Sequence, residues 1–174
     1  MSGIPVLIAD AVTAVLNDVV DANTFAALTA AEAASLDVRR SYPDWDDDFK
    51  DLKGLAVDVV FVSSGSSGGD LVDLDSVESL NTDTSIDIAV RYRFQPTDRE
   101  SGGRLKNAPV DKYVQLVQEI YEVLAAERMQ SLDIAGLSAN WLNASVRTYC
   151  DFRRLREGSF LGVVRVRYNA AKAG

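Results

Sequence analysis

The chain of 174 residues contains no histidine and a single cysteine, Cys150. The Ser-His-Asp and Cys-His arrangements of nucleophilic catalysis, and metal sites built on histidine, are therefore impossible within this chain. One cysteine also excludes an internal disulfide bond and a zinc site with several thiolates. We expect Cys150 to be a small core residue at the end of a strand, since it has no histidine to activate it.

Long apolar runs are also missing, because none approaches the roughly 20 residues that a membrane-spanning helix needs. The first residues, MSGIPVLIADAV, lack the basic start and cleavage pattern of a secretory signal. We therefore expect a chain of the cytoplasm without a membrane partner. Its net charge of −8 disfavours general binding to nucleic acid or anionic lipid. Solubility is the simpler role of that charge, but it also suits a surface that DNA slides past without sticking.

The clearest helical pattern lies in residues 109–129, PVDKYVQLVQEIYEVLAAERM. Seven apolar residues recur there at steps of three and four and so form one stripe: Val110, Tyr113, Val114, Val117, Ile120, Tyr121 and Leu124. A similar pattern, with Pro5 in its first turn, predicts another helix over residues 4–20. Both helices need a broad apolar surface to cover.

Alternating or Val-rich segments predict the strands that supply this surface. They are residues 25–28, 34–42, 55–62, 85–94, 140–149 and 160–168. We expect 55–62 and 85–94 to pair as antiparallel neighbours joined by a long flexible loop, 63–84. The remaining predictions are a charged loop at 96–106, a turn within 151–158 and a frayed tail at 170–174.

Together these elements predict one α+β domain over residues 1–174. Its sheet is mixed but mainly antiparallel, and two helices cover one face of it. No internal repeat or second domain emerges from the pattern.

The residues that could carry chemistry give no specific pattern. Acidic clusters at 44–51 and 70–78 could attract Ca²⁺ or Mg²⁺, but their spacing matches no calcium-binding loop. The Gly-rich residues 65–69 follow a strand but lack the Lys-Ser/Thr of a phosphate-binding loop, which favours a flexible loop. Hydrolysis by a carboxylate pair stays open by residue type, yet nothing singles out a pair. We predict no catalytic residue, no metal site and no cofactor.

Two features of the sequence indicate an interaction surface. Trp45 lies inside the acidic stretch 44–48, where it either anchors an interface or folds back onto the core. Outward-facing arginines recur along the predicted strands: Arg91, Arg93, Arg147, Arg165 and Arg167. They either offer a basic sheet face to acidic patches of neighbouring subunits or, more simply, pair with Asp or Glu across strands.

The order of these segments carries a family resemblance. A helix is followed by PDWDDDFKDL, a Val-rich strand, a long loop, the strand IDIAVRYRF, the long amphipathic helix and the strand FLGVVRVRY. This order resembles the tail terminator proteins, also called tail completion or neck proteins, of long-tailed bacteriophages. The likeness spans nearly the whole chain but includes no short diagnostic motif.

The resemblance implies a structural virion protein, not an enzyme, that is assembled in the host cytoplasm. Its subunits form a homo-oligomeric ring, usually a hexamer, that caps the tail tube, stops its polymerisation and joins it to the head-neck connector. The partners would be the tail tube protein and the connector or neck proteins, and DNA would pass through the ring without specific binding. The alternatives are an adjacent head-tail connector or neck protein, a tail tube subunit and, from another class, a small carboxylate-dependent hydrolase.

In such a ring the loops 43–51, 63–84 and 96–106 would make the contacts. The candidate interface residues within them are Asp44, Trp45, Asp46, Asp47, Asp48, Ser66, Gly68, Asp70, Arg99 and Arg104.

Overall fold

Five strands and four α-helices make up the part of the chain that the computed structural model describes, residues 3–42, 49–50, 52–62, 82–126, 129, 132 and 134–172. In chain order they are α1 (Ile4–Asp21), α2 (Ala30–Ser35), β1 (Val38–Arg40), β2 (Leu55–Val62), β3 (Thr82–Arg93), a 3₁₀ turn (Pro96–Asp98), α3 (Asn107–Ala125), β4 (Leu137–Thr148), α4 (Phe152–Arg156) and β5 (Ser159–Lys172).

The strands form one sheet in the order β1-β2-β3-β5-β4. β1 runs parallel to β2, and all other neighbours are antiparallel. This confirms the predicted α+β class and the mixed, mainly antiparallel sheet. The predicted pairing of 55–62 with 85–94 is also confirmed, since Leu55 lies opposite Tyr92 and Val62 opposite Ser85.

The two long helices pack on the same face of the sheet, α1 over β1 and β2, and α3 over β5 and β4. Alternate side chains of the central strands point to them and are fully buried, for example Ile86, Ile88, Val164 and Val166. The predicted stripe of α3 faces this core and is buried or half-buried along its length. Burial of apolar surface at about 25 cal/mol per Å² is the main force holding both helices to the sheet.

Of the two strand predictions near the N-terminus, 25–28 is wrong and 34–42 is confirmed only over β1. Residues 25–28 form a turn in which the Leu28 amide donates to the Phe25 carbonyl at 3.1 Å. Of the predicted strand 34–42 only β1 joins the sheet, and α2 takes up residues to 35. The cause is a local capping box, in which Thr29 and Glu32 each bind the other's backbone amide.

Further boundaries differ from the prediction, and β3 already begins at Thr82, within the predicted loop 63–84. Residues 170–172 of the predicted frayed tail belong to β5, which extends to Lys172. Ala170 pairs there with both Thr82 and Ala139. The long helix ends at Ala125 and not at residue 129, because the next residue, Ala126, adopts an extended conformation. Residues 151–158 contain the short helix α4, which Asp151 caps with its side chain before the turn at Gly158.

Gly162 lets α3 approach β5 closely. A Cβ atom there would clash with the Cγ2 of Val117 and lie 3.0 Å from the Tyr149 carbonyl oxygen. Gly162→Ala should therefore destabilise the fold by about 1–3 kcal/mol through overpacking. Chemical denaturation measures this, with Gly102→Ala as the control because nothing lies within 4 Å of its new methyl group. Equal stability of the two variants would show that α3 does not rest on Gly162.

Candidate interaction surface

The arginines on the sheet face opposite the helices are mostly paired across strands. Arg165 binds Asp87 through two hydrogen bonds of 2.6 and 2.8 Å, Arg91 binds Asp58 and Arg167 lies 3.8 Å from Asp83. Hydrogen bonding to Asp87 raises the pKa of Arg165. The simpler prediction, cross-strand pairing, is confirmed for these three residues, so this face is not the open basic surface that the alternation could also indicate.

On this face lies a buried network around Asp58, whose side chain is fully enclosed. Its carboxylate accepts hydrogen bonds from Arg91 at 2.6 and 2.7 Å, from Ser41 at 2.5 Å and from Arg39 at 3.3 Å. It thereby ties β1 and the residue after it to β2 and β3. Sequence reasoning missed this role, although a lone aspartate inside a Val-rich strand was the available signal.

Phe49 connects the network to α4. Its ring is buried and lies 5.7 Å from the guanidinium carbon of Arg91 and 4.8 Å from that of Arg154. Arg154 also donates to Glu157 at 3.1 Å. These cation–π contacts place α4 beside the sheet end at which the loop 96–106 emerges.

That loop is an ordered hairpin between β3 and α3. Arg99 and Leu105 form an isolated bridge, and the amide of Glu100 donates to the Arg104 carbonyl at 2.8 Å. The tip turns through Gly103, whose φ of 81° is easily adopted only by glycine. At the base, the Asp98 carboxylate accepts from the Gln95 amide at 2.7 Å and from the Tyr92 hydroxyl at 3.1 Å. Burial and this carboxylate raise the pKa of Tyr92, which stays a protonated donor.

Arg99 fixes the hairpin against the turn before β5. Its guanidinium donates to the Gly103 carbonyl at 2.8 Å, and its Nη2 atom lies 2.7 Å from the position that a Cβ atom of Gly158 would take. Gly158 has φ of 82°, and its own carbonyl accepts from the Phe94 amide. Within the part of the chain that the structure describes, Arg99 is therefore bound by a neutral backbone carbonyl and by no carboxylate.

Two open clefts meet at Arg99. The first, of about 650 Å³, is lined by four cationic side chains, Lys50, Lys53, Arg93 and Arg99, and the described residues add no acidic one to its lining. The second, of about 490 Å³, lies between the hairpin, the start of α3 and α4. We call the second one the arginine cleft, since Arg99, Arg104 and Arg156 line it beside the exposed ring of Phe152.

The charge of the chain is divided unevenly along its sequence. Residues 44–51 hold five aspartates and one lysine, and residues 70–78 hold three aspartates and one glutamate. These two stretches account for the whole net charge of −8, because the rest of the chain has 17 of the 18 basic residues and 17 of the 26 acidic ones. One subunit therefore carries two acidic segments, 44–51 and 70–78, together with the cationic end of the sheet at the hairpin 96–106, which we call the hairpin end.

Of the ten predicted interface residues the structure describes two, and it brings Arg99 and Arg104 to one cleft. The other eight, Asp44, Trp45, Asp46, Asp47, Asp48, Ser66, Gly68 and Asp70, lie outside the described residues. The prediction missed Phe152 and Arg156, whose signal was the cationic and aromatic run FRRLR directly after Asp151.

Neither a metal-binding cluster among the described residues nor a match to a known protein assigns a role to this surface. Across residues 3–42, 82–126 and the other described ranges, no three His, Cys, Asp or Glu side chains are close enough to hold a metal ion. The described helices include none long and apolar enough to cross a membrane. A scan against protein-family models found no matching family, and searches of the curated proteins and of the solved structures found no significant match.

Cys150 packs against the core beside this end of the sheet and is half-buried. Burial, and then the neighbouring Asp151 carboxylate, raise the pKa of its thiol above the ordinary value of 9.0. The thiolate fraction at pH 8 is therefore smaller than that of an ordinary cysteine.

We expect the native chain to react more slowly with a disulfide reagent at pH 8 than the same chain unfolded in guanidinium chloride. The rate should still rise above pH 9, because the thiol is then still losing its proton. Stopped-flow absorbance measures both rates, and a native rate that levels off below pH 8 would contradict the assignment.

The Asp58 network generates a stability prediction. Asp58→Asn removes the charge that Arg91 and Ser41 both use as acceptor, and breaking a buried pair of this kind costs about 3 kcal/mol or more. Asp83→Asn is the control, since its pair with Arg167 is half exposed and pairs of that kind are worth under about 1 kcal/mol. Urea denaturation of both variants measures the difference, and an equal loss would show that Asp58 does not hold the sheet together.

Proposed function

We propose that this protein is a structural subunit of the tail terminator kind, which assembles into a closed ring, caps a phage tail tube and joins it to the head-neck connector. The observation that carries the proposal is the separation of charge within one subunit: two acidic segments provide the whole net charge, whereas the hairpin end is cationic. Two different complementary surfaces on one chain favour head-to-tail contacts, which generate rings or open helical tubes.

The edges of the sheet support contacts through side chains and loops. The edge strand β1 has three residues and carries Arg39 and Arg40. At the other edge, β4 has register shifts at Trp141/Asn143 and at Val146/Thr148. Short, charged or bulged edges disfavour the addition of a further strand. The proposed ring is therefore not a continuous sheet.

The interior supports a structural role for the chain. The buried charged side chains Asp58 and Arg91 bind each other and so hold strands of the sheet together. Both clefts at the hairpin end are open to solvent and lined by charged surface residues. Such a surface fits binding to another protein better than sequestration of a small molecule. Within this proposal the protein is not an enzyme and holds no cofactor.

DNA passage is part of the same proposal. A ring subunit with net charge −8 repels the phosphate backbone at long range, provided that its basic surface lies in contacts between subunits. The partners are then further copies of the chain, the tail tube protein and a connector protein, in a virion assembled in the host cytoplasm.

The purified chain should assemble into closed rings whose mass is a small multiple of 18.9 kDa. Size-exclusion chromatography with light scattering gives this mass, and negative-stain imaging distinguishes closed rings from open tubes. Tubes would favour a tail tube subunit, and a ring that binds the connector but not the tube would favour an adjacent neck protein. A protein that stays monomeric and does not bind tail tubes would overturn the proposal.

A further inference from the structure

The arginine cleft has an excess of positive charge that its own surroundings do not neutralise. Arg99, Arg104 and Arg156 line it, and Asp111 brings the single carboxylate that the described residues contribute to the lining. The guanidinium of Arg99 donates to a backbone carbonyl, and none of the three arginines forms a salt bridge with any residue that the structure describes. A ligand of the cleft should therefore carry several carboxylates or phosphates.

The cleft also offers apolar and aromatic surface. Phe152 begins α4 with 74% of its surface exposed, and Leu155, one turn later on the same side of the helix, lines the cleft beneath it. Val110 and Leu105 complete this apolar floor. A ligand that combines acidic groups with one large aromatic ring would match both properties of the cleft.

One segment of this chain has that combination. Asp44-Trp45-Asp46-Asp47-Asp48 places a single indole among four carboxylates. The other tryptophan, Trp141, packs against the core and donates its indole N–H to the Leu124 carbonyl at 3.1 Å, so it is already used. The acidic segment therefore complements the cleft in charge and in aromatic character.

We propose that the arginine cleft of one subunit binds the segment Asp44–Asp48 of a neighbouring subunit. This inference rests on the proposed ring, which supplies the neighbour, and names the contact that closes it. The geometry of α4 favours a neighbour over the same subunit. Phe49, which follows the segment, lies on Arg154, whereas Phe152, Leu155 and Arg156 face the cleft from the other side of the helix.

Charge reversal of the cleft tests the proposal directly. Arg104→Glu/Arg156→Glu should weaken assembly by more than about a hundredfold in subunit concentration, because like charges then face the aspartates. The matched control is Arg147→Glu/Arg167→Glu, which changes the net charge equally on β4 and β5, away from the cleft. Light scattering across a dilution series compares both with the unaltered protein, and circular dichroism checks that each variant is folded.

The expected result is a folded monomer for the cleft variant and a ring for the control. If the unaltered protein forms rings and the cleft variant does too, the docking proposal is overturned while the ring proposal stands. If the unaltered protein is itself monomeric, the ring proposal fails. A lowered melting temperature of the cleft variant with an unchanged oligomer mass would place the acidic segment in its own subunit and overturn the inference.

A nucleic acid is the other polyanion that the cleft could bind. Fluorescence anisotropy with a short labelled DNA duplex tests this in the same preparations. Binding that is lost in the cleft variant, together with unaltered rings, would make the cleft a phosphate-backbone site and would overturn the subunit contact.

Discussion

The hydrogen-bond network of the buried Asp58 carboxylate is the interaction on which the charged face of the sheet depends. It is fully enclosed and accepts from Arg91, Ser41 and Arg39, so it joins three consecutive elements of the sheet. Taking a charge out of water is costly, and the network offsets that cost only with all of its donors in place. Through Arg91 and Phe49 the same network reaches Arg154 and α4. The position of the hairpin end is thus tied to the core.

The two faces of the sheet differ in the kind of side chain that they carry. On one face, α1 and α3 bury the apolar side chains of every strand. On the other face, charged side chains pair across strands and leave little free charge. The uncompensated positive charge therefore gathers where the sheet ends, around Arg99 and Arg156. This is why we place the subunit contacts at the hairpin end.

Much of the fold follows from the sequence because it depends on local periodicity. The stripe from Val110 to Leu124 and the strand 55–62 have strong patterns, and the structure confirms both. The helix α2 was missed although its capping residues, Thr29 and Glu32, are separated by the standard three positions. The extension of β5 was missed because Ala170 and Ala171 have weak strand preference and are held only by pairing with β3 and β4.

The candidate surface was only partly predictable, for a different reason. Arg99 and Arg104 are evident as charged loop residues, but the cleft forms only when α4 packs beside the hairpin. Arg99 reaches Gly158 across a long stretch of sequence, and no spacing rule reports such a contact. The partition of charge, by contrast, can be counted from the sequence alone. Only the structure shows that the cationic residues lie together and so form one positively charged surface.

The central claim is that copies of this chain bind head to tail through opposite charges. A mixing experiment tests it most directly, with Arg104→Glu/Arg156→Glu and Asp46→Lys/Asp47→Lys/Asp48→Lys prepared separately as folded proteins, since the second set changes the charge of residues 44–48 from −4 to +2. Each variant alone should stay monomeric, whereas an equimolar mixture should form rings of alternating subunits, because every contact then again joins opposite charges. Native mass spectrometry distinguishes these species by mass. A mixture that stays monomeric, or either variant forming rings alone, would contradict the account.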